Sequence, residues 1–157
     1  MQVFTGQHER IIDDKNRLQL PSQFRAAIDA KREGAILYVA LGEDRGTLSI
    51  FTEGGFEELA SRIETEFMTG PESRRFELQF YGLTSRVELD KQGRFVVPDR
   101  LLKKARLGPE VYLVGQKNRI GIWNRAALDQ AMGIDWEGED WPENWSDFLR
   151  MRPTQGS

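Results

Sequence analysis

Two aspartates, each followed four residues later by an arginine, are the side chains best placed to do chemistry: Asp13 with Arg17, and Asp90 with Arg94. A carboxylate at the start of a tight turn accepts backbone N–H groups a few residues on, an Asx-type turn that fixes the loop and points its tip outward. The arginine beyond the turn can pair with the aspartate or reach away from it. Its planar fork fits a phosphate, or O6 and N7 of guanine in a DNA major groove. Lys15 and Lys91 lie in the same loops. A rigid loop bearing lysine and arginine suits an electrostatic contact to DNA. The plain alternative is a turn-capping aspartate with a surface salt bridge, and for a single such pair it is the stronger reading, because exposed pairs contribute little.

The spacing occurs in matched surroundings. Residues 12–21 read Ile-Asp-Asp-Lys-Asn-Arg-Leu-Gln-Leu-Pro, and residues 89–98 read Leu-Asp-Lys-Gln-Gly-Arg-Phe-Val-Val-Pro. Duplication weakens the plain alternative without removing it. Asn16 and Gly93 occupy the same place in the two copies, and both residue types tolerate the positive φ that tight connections require.

The elements around the motif repeat as well. His8 to Asp13 is a strand candidate, and Arg17 to Leu20 alternates as the return strand of a hairpin. Pro21 and Pro98 suit the first turn of a helix. Phe24, Ala27 and Ile28 then follow helical spacing in the first half, as do Leu101, Leu102 and Ala105 in the second, with Arg100, Lys103 and Lys104 facing out. Gly34 and Gly108 punctuate the helix exits. Strands follow at 36–41 and 111–114, then at 48–51 and 120–123, with a helix after each pair, at 56–67 and 125–132. Gly42 to Gly46 and Gly54-Gly55 mark turns, not a phosphate-binding fingerprint. Residues 70–81 form a connecting helix with Arg74 and Arg75 near its start. The expected organisation is a first repeat at 1–70, a connecting helix and second repeat at 71–133, and an acidic, Trp-containing extension at 134–157. Neither half closes a core alone, so the halves should interlock.

At 157 residues the chain is long enough to bury about two-thirds of its unfolded surface. It has no cysteine and one histidine, His8. That excludes thiolate chemistry and argues against a histidine-rich metal site or a histidine-centred triad. His8 reads as structural. Glu57, Glu58, Glu64 and Glu66 read as a solvated helix face. No catalytic residue, metal ligand or cofactor is expected, and the chain is not expected to be an enzyme. No apolar run approaches the roughly 20 residues needed to cross a bilayer, and the start of the chain lacks a secretory pattern. Together these point to a soluble cytoplasmic protein with no membrane partner. The net charge is −3, but its distribution is uneven. Between 84 and 106 the cations Arg86, Lys91, Arg94, Arg100, Lys103, Lys104 and Arg106 outnumber Glu88, Asp90 and Asp99. After residue 134 acids dominate, and such a segment could compete with DNA for the basic repeat. Trp123 reads as core, and Trp141 and Trp145 as anchors that dock on the body or on a neighbouring subunit.

Several motifs together resemble the MraZ family, bacterial DNA-binding transcriptional regulators with a duplicated AbrB-like (SpoVT-AbrB) module. They are Phe4-Thr5-Gly6, the paired segments at 12–21 and 87–98, and Arg74-Arg75-Phe76, and the resemblance covers roughly residues 1–132. It implies an α+β fold: a duplicated AbrB-like β-barrel of double-psi or swapped-hairpin type, with flanking helices. It also implies a homo-oligomeric ring that binds repeated operator boxes in double-stranded DNA. Those boxes lie upstream of the division and cell-wall gene cluster, including the family member's own gene, so the protein would be nucleoid-associated. Carried over, Arg17 and Arg94 would contact DNA, Asp13 and Asp90 would orient the loops, and Lys15, Asn16, Lys91 and Gln92 would be secondary contacts. Asn16 stands where the family usually has glycine, Lys15 and Gln92 differ at equivalent sites, and the acidic extension is longer than the common pattern. The two contacts should therefore differ in strength, with the more basic second one the stronger. A scaffold on the same fold that binds no DNA is the competing reading, drawn from the net negative charge and the aromatic tail.

Overall fold

Apolar alternation sets the strands, and proline, glycine and left-handed residues set where helices begin and end. The computed structural model describes residues 3–28, 35–64 and 70–151. In chain order the elements are β1 (Gln7–Ile11), β2 (Arg17–Gln19), α1 (Ser22–Ala27), β3 (Ile36–Leu41), β4 (Leu48–Thr52) and α2 (Glu53–Glu64). They continue with α3 (Pro71–Leu83), β5 (Ser85–Glu88), β6 (Arg94–Val96), α4 (Asp99–Ala105), β7 (Glu110–Gly115), β8 (Ile120–Trp123), α5 (Arg125–Met132) and α6 (Trp145–Arg150). The fold is α+β. The expected exit at Gly34, the extension of α2 to Phe67, Glu66 and the residues from Arg152 onward lie outside the described residues.

The chain divides into two compact units, one running to Arg125 and one from Ala126. In the first, six strands form an antiparallel sheet in the order β1-β7-β8-β4-β3-β5, while β2 and β6 form a separate two-stranded ladder. Two sequence expectations change here. The β1–β2 segment is not a hairpin: a tight loop joins the two strands, but β1 pairs with β7 and β2 with β6. The sheet is also not a closed barrel, because the equivalent strands β1 and β5 occupy its two opposite edges. Each loop turns the chain out of the sheet instead of folding it back in register, so every motif strand finds its partner in the other half.

The register is internally symmetric. At the centre of the small ladder Leu18 faces Phe95, its counterpart in the second copy. At the centre of the large sheet Ser49 of β4 faces Gly121 of β8, again a pair of counterparts. A pseudo-twofold axis thus passes through both pairs. Leu18 and Phe95 are fully buried, and burial of each side chain contributes about 1.5–3 kcal/mol. Strand alternation sends Leu37, Val39, Leu48, Ile50, Leu113 and Ile122 into the same core. The opposite face of β3 and β4 carries Ala40 and Phe51, which pack with Phe56 of α2 and Phe80 and Tyr81 of α3.

The helix ends have local causes. Pro21 and Pro98 stand one position earlier than expected, as N-cap residues. The helix α2 begins before Phe56, because the Thr52 hydroxyl accepts the Gly55 N–H at 3.0 Å. Gly54-Gly55 is therefore the first turn of a helix, capped by threonine. The helix α4 ends not at Gly108 but at Arg106, which is left-handed at φ 54. The next N–H, from Leu107, returns to the Leu102 carbonyl at 3.0 Å, a Schellman-type closure.

The second unit has its own hydrogen bonds. The Trp136 indole donates to Asp129 at 2.9 Å, and the Asp135 N–H donates to Asp140 at 2.9 Å. The helix α6 follows, with Asn144 left-handed at its start. Trp141, Trp145, Phe148 and Leu149 are solvent-exposed.

Candidate nucleic-acid interface

Each motif loop is built by one carboxylate. Asp13 Oδ1 accepts the backbone N–H of Lys15 at 2.9 Å and of Arg17 at 2.8 Å, and its Oδ2 accepts Arg17 Nε at 2.7 Å. Asp90 repeats the pattern: Oδ1 accepts the N–H of Gln92 and of Arg94, each at 2.9 Å, and Oδ2 accepts Arg94 Nε at 3.0 Å. Asn16 and Gly93 both adopt positive φ, 60° and 77°. The backbone N–H of Arg17, helped by its guanidinium and the Lys15 N–H, holds the Asp13 carboxyl below its ordinary value against the opposing effect of desolvation. Arg94 and Gln92 do the same for Asp90.

The small ladder decides where the arginines point. Leu18 and Phe95 face the core, so their neighbours Arg17, Gln19, Arg94 and Val96 share the outer face. Arg17 pairs with Val96 and Arg94 with Gln19, so the two arginines lie near opposite ends of a short ribbon. At about 3.4 Å per residue they are offset by roughly 7 Å along it. Each is anchored through Nε, and among the described residues its Nη end makes no hydrogen bond. Their side chains remain about a third exposed, 31% for Arg17 and 29% for Arg94.

The loops differ in what supports them. The second is held by the first half. Gln19 Nε2 donates to the Gln92 carbonyl at 2.8 Å, and the Arg25 guanidinium packs on Gly93 so closely that a Cβ there would collide with it. The first is held by the second half. The Asn16 carbonyl accepts the Val97 N–H at 2.8 Å, matching the Leu20 N–H bond to the Gly93 carbonyl at 2.9 Å in the second loop, so this backbone support is common to both. Asp99, which lines the same cleft as Asn16, has its carboxyl lowered chiefly by its bond to Lys103, with a smaller contribution from Asn16. Lys103 and Arg106 of the second repeat line a cleft together with Asp13 and Asn16 of the first.

All eight sequence-derived residues therefore sit in the two loops, with Asp13 bonded to Arg17 and Asp90 to Arg94. Lys15, Lys91 and Gln92 are exposed, and Asn16 is half-buried. Sequence reasoning placed Lys103 and Arg106 in the basic run of the second repeat but not beside the first loop, and it did not single out Gln19 and Arg25. One signal was available: Gln19 and Arg25 stand where the second copy has Val96 and Leu102, a polar-for-apolar difference between otherwise matched positions. His8 is half-buried with its ring edge-on to Phe24 at 5.1 Å, and Trp123 is buried and donates to Gln116 at 3.1 Å. Glu57 and Glu58 are exposed on α2. Among the described residues no group of three or more acidic or histidine side chains could hold a metal, and no helix is long and apolar enough to cross a membrane.

Comparison with known proteins gives a consistent picture. The MraZ protein family model matches residues 80–132. The chain is 36% identical over 124 residues to the transcriptional regulator MraZ of Mycoplasmopsis pulmonis, covering 79% of this chain and 80% of that protein. It is 31% identical over 141 residues to the protein of that name from Coxiella burnetii, covering 90% of this chain and 91% of the relative. The Mesoplasma florum protein of that name is 34% identical over 127 residues, covering 81% and 84%.

Proposed function

The chain belongs to the MraZ family, and from that membership we propose that it is a sequence-specific DNA-binding transcriptional regulator that presents the β2–β6 ribbon and its two loops to duplex DNA. The observation that carries this reading is the outer face of the ribbon: two arginines, each braced by its own aspartate, with their Nη ends unoccupied among the described residues. A two-stranded ribbon fits a major groove, where an arginine fork reads guanine. Bracing by Asp13 and Asp90 lowers the ordering cost of contact. Arg17 and Arg94 are the principal contacts in this proposal, with Lys15, Asn16, Lys91 and Gln92 secondary to them.

The exchange of partners between halves supports an AbrB-like swapped-hairpin arrangement, with residues 1–70 and 71–133 as interlocked copies and 134–157 as an extension. We further propose that a ring of subunits engages repeated operator boxes, where repetition raises avidity through effective concentration. The boxes proposed lie upstream of the division and cell-wall gene cluster, including its own promoter, which makes the protein a nucleoid-associated one with no enzymatic role. The exposed Trp145, Phe148 and Leu149 of α6 favour one competing reading, an assembly scaffold that binds no DNA.

Titration of labelled upstream duplex at several salt concentrations separates the two. A regulator binds its operator and weakens steeply as salt rises; a scaffold forms no specific complex at any salt. Arg17→Ala and Arg94→Ala should each weaken operator binding while the protein stays folded. Parent-like binding by both variants overturns the assignment of the loops.

A further inference from the structure

We propose that Arg45, Lys104 and Arg106, with Lys103 beside them, form a second contact for duplex DNA that holds the sugar–phosphate backbone next to the first loop. This inference rests on the DNA-binding reading above and adds residues from outside the repeated motif. The four cations converge on an open concavity of about 550 Å³ between the β3–β4 turn and the end of α4, with Asp44 as the acid lining it. Lys103 is ion-paired to Asp99 at 2.8 Å. Among the described residues, the side chains of Arg45, Lys104 and Arg106 have no hydrogen-bond or ion-pair partner, and all three residues are exposed.

Three features make this more than a scatter of surface charge. First, the turn is fixed. The Gly42 N–H donates to the Thr47 carbonyl at 2.9 Å and the Thr47 hydroxyl to the Asp44 carbonyl at 2.7 Å, while Gly46 at φ 86 brings the turn against the Ala105 carbonyl. Arg45 therefore projects from a fixed turn and lines the concavity together with the end of α4. Second, Arg106 occupies a left-handed C-terminal position at φ 54, where glycine is the favoured residue. A strained arginine there places a cation where a relaxed glycine would place none. Third, Lys103 and Arg106 line both this concavity and the cleft of the first loop, where Asp13 and Asp99 also lie, so the two concavities share a cationic rim that ends at Arg45. Cations near a helix C-terminus also favour its dipole, but that does not account for Arg45, which belongs to another element. Phosphate contacts position a duplex without reading its sequence. The patch should therefore add affinity equally to operator and to unrelated DNA.

The test is the full-length triple variant Arg45→Ala, Lys104→Ala and Arg106→Gly. The glycine suits the left-handed position, and Lys103 is left in place. Loss of three phosphate contacts should lower the salt dependence of binding, in log–log units, by about 0.9 per contact. Between 50 and 200 mM salt the parent should then lose roughly 40-fold more affinity than the variant. The preference for operator over scrambled duplex should stay unchanged. A variant with the parent's affinity and salt slope overturns the patch, while loss of binding by Arg94→Ala in the same assay leaves the DNA-binding reading standing. A parent that binds no duplex at any salt overturns both. Thermal stabilisation of the parent by inorganic phosphate, absent in the variant and combined with an unchanged duplex salt slope, assigns the cavity to a small anion and overturns the DNA contact.

Discussion

The two motif loops share every internal hydrogen bond and one backbone bond from the opposite half, and differ in the side chains packed around them. The second carries charge in its own tip, Lys91 with Arg94, and is packed by Gln19 and Arg25 against a glycine where any added side chain would displace the Arg25 guanidinium. The first has Asp14 opposite the position of Lys91 and gains its extra positive charge from Lys103 and Arg106, which the strand exchange brings from the other repeat. Identical local chemistry therefore yields one loop, Asp90 and Lys91 with Arg94, that is net positive by itself, and another, Asp13, Asp14 and Lys15 with Arg17, whose own acids and cations balance. Local sequence sets the loop; the partner half sets how it behaves.

The contrast can be broken most sharply at the arginines. Each good arginine–base contact is worth about 1–3 kcal/mol. Arg94→Ala should cause the larger loss of operator affinity and Arg17→Ala the smaller, measured by fluorescence anisotropy at fixed salt. Equal losses would mean that the different supports have no functional consequence. A second test exchanges the turn residues. Gly93→Asn should destabilise the fold by about 0.5–1.5 kcal/mol, because the new Cβ pushes the flexible Arg25 guanidinium off the Gln92 carbonyl it bonds at 3.5 Å. Asn16→Gly should stay within about 0.5 kcal/mol of the parent, since both residues accept φ near 60°. Chemical denaturation of both proteins checks the pair, and equal costs would remove the claim that only the second loop is clamped.

A smaller effect is expected at Gln19. Removing its bond to the Gln92 carbonyl by Gln19→Ala should cost about 0.5–1.5 kcal/mol. It should also speed amide exchange in residues 90–94 and leave residues 13–17 unchanged. The smallest difference concerns acid. Both aspartates are lowered below 3.8 in the folded state, so the unfolded chain takes up protons first as pH falls. Their stabilising contribution is complete above the unfolded value and is lost as pH drops below about 4 through the folded values. Asp13→Asn and Asp90→Asn should each flatten the acid limb of stability, measured by thermal denaturation between pH 2 and 6. An unchanged limb in either variant would show that its aspartate is not a brace.

The element order was legible because it depends on local pattern. Leu37 and Val39 alternate, Phe24 and Ile28 repeat at helical spacing, and Pro71 opens α3. The bracing of Arg17 and Arg94 was legible for the same reason, since the aspartate lies four residues away. Strand pairing was not. A tight turn between two apolar runs suggests a hairpin, yet β1 gains a longer ladder with β7 than β2 could offer, five residue pairs against the three of β2. Gln19 and Arg25, and the place of Lys103 and Arg106 beside the first loop, were hidden by the same exchange, because each acts on the loop of the half to which it does not belong. Thr52 capping α2 and Arg106 ending α4 override glycine punctuation that the sequence offers at Gly54-Gly55 and Gly108.

The counterpart pairs Leu18–Phe95 and Ser49–Gly121 have one more consequence. A homodimer built around a true twofold axis presents identical surfaces to both half-sites and is matched to a palindrome. Here both halves belong to one chain, so the symmetry is geometric but not chemical, and mutation can alter one half without altering the other. Such a covalently fused pair can differ at its two ends, and Asp14-Lys15-Asn16 against Lys91-Gln92-Gly93 is where its loops do; under the DNA-binding function proposed above, that difference suits a directional DNA word.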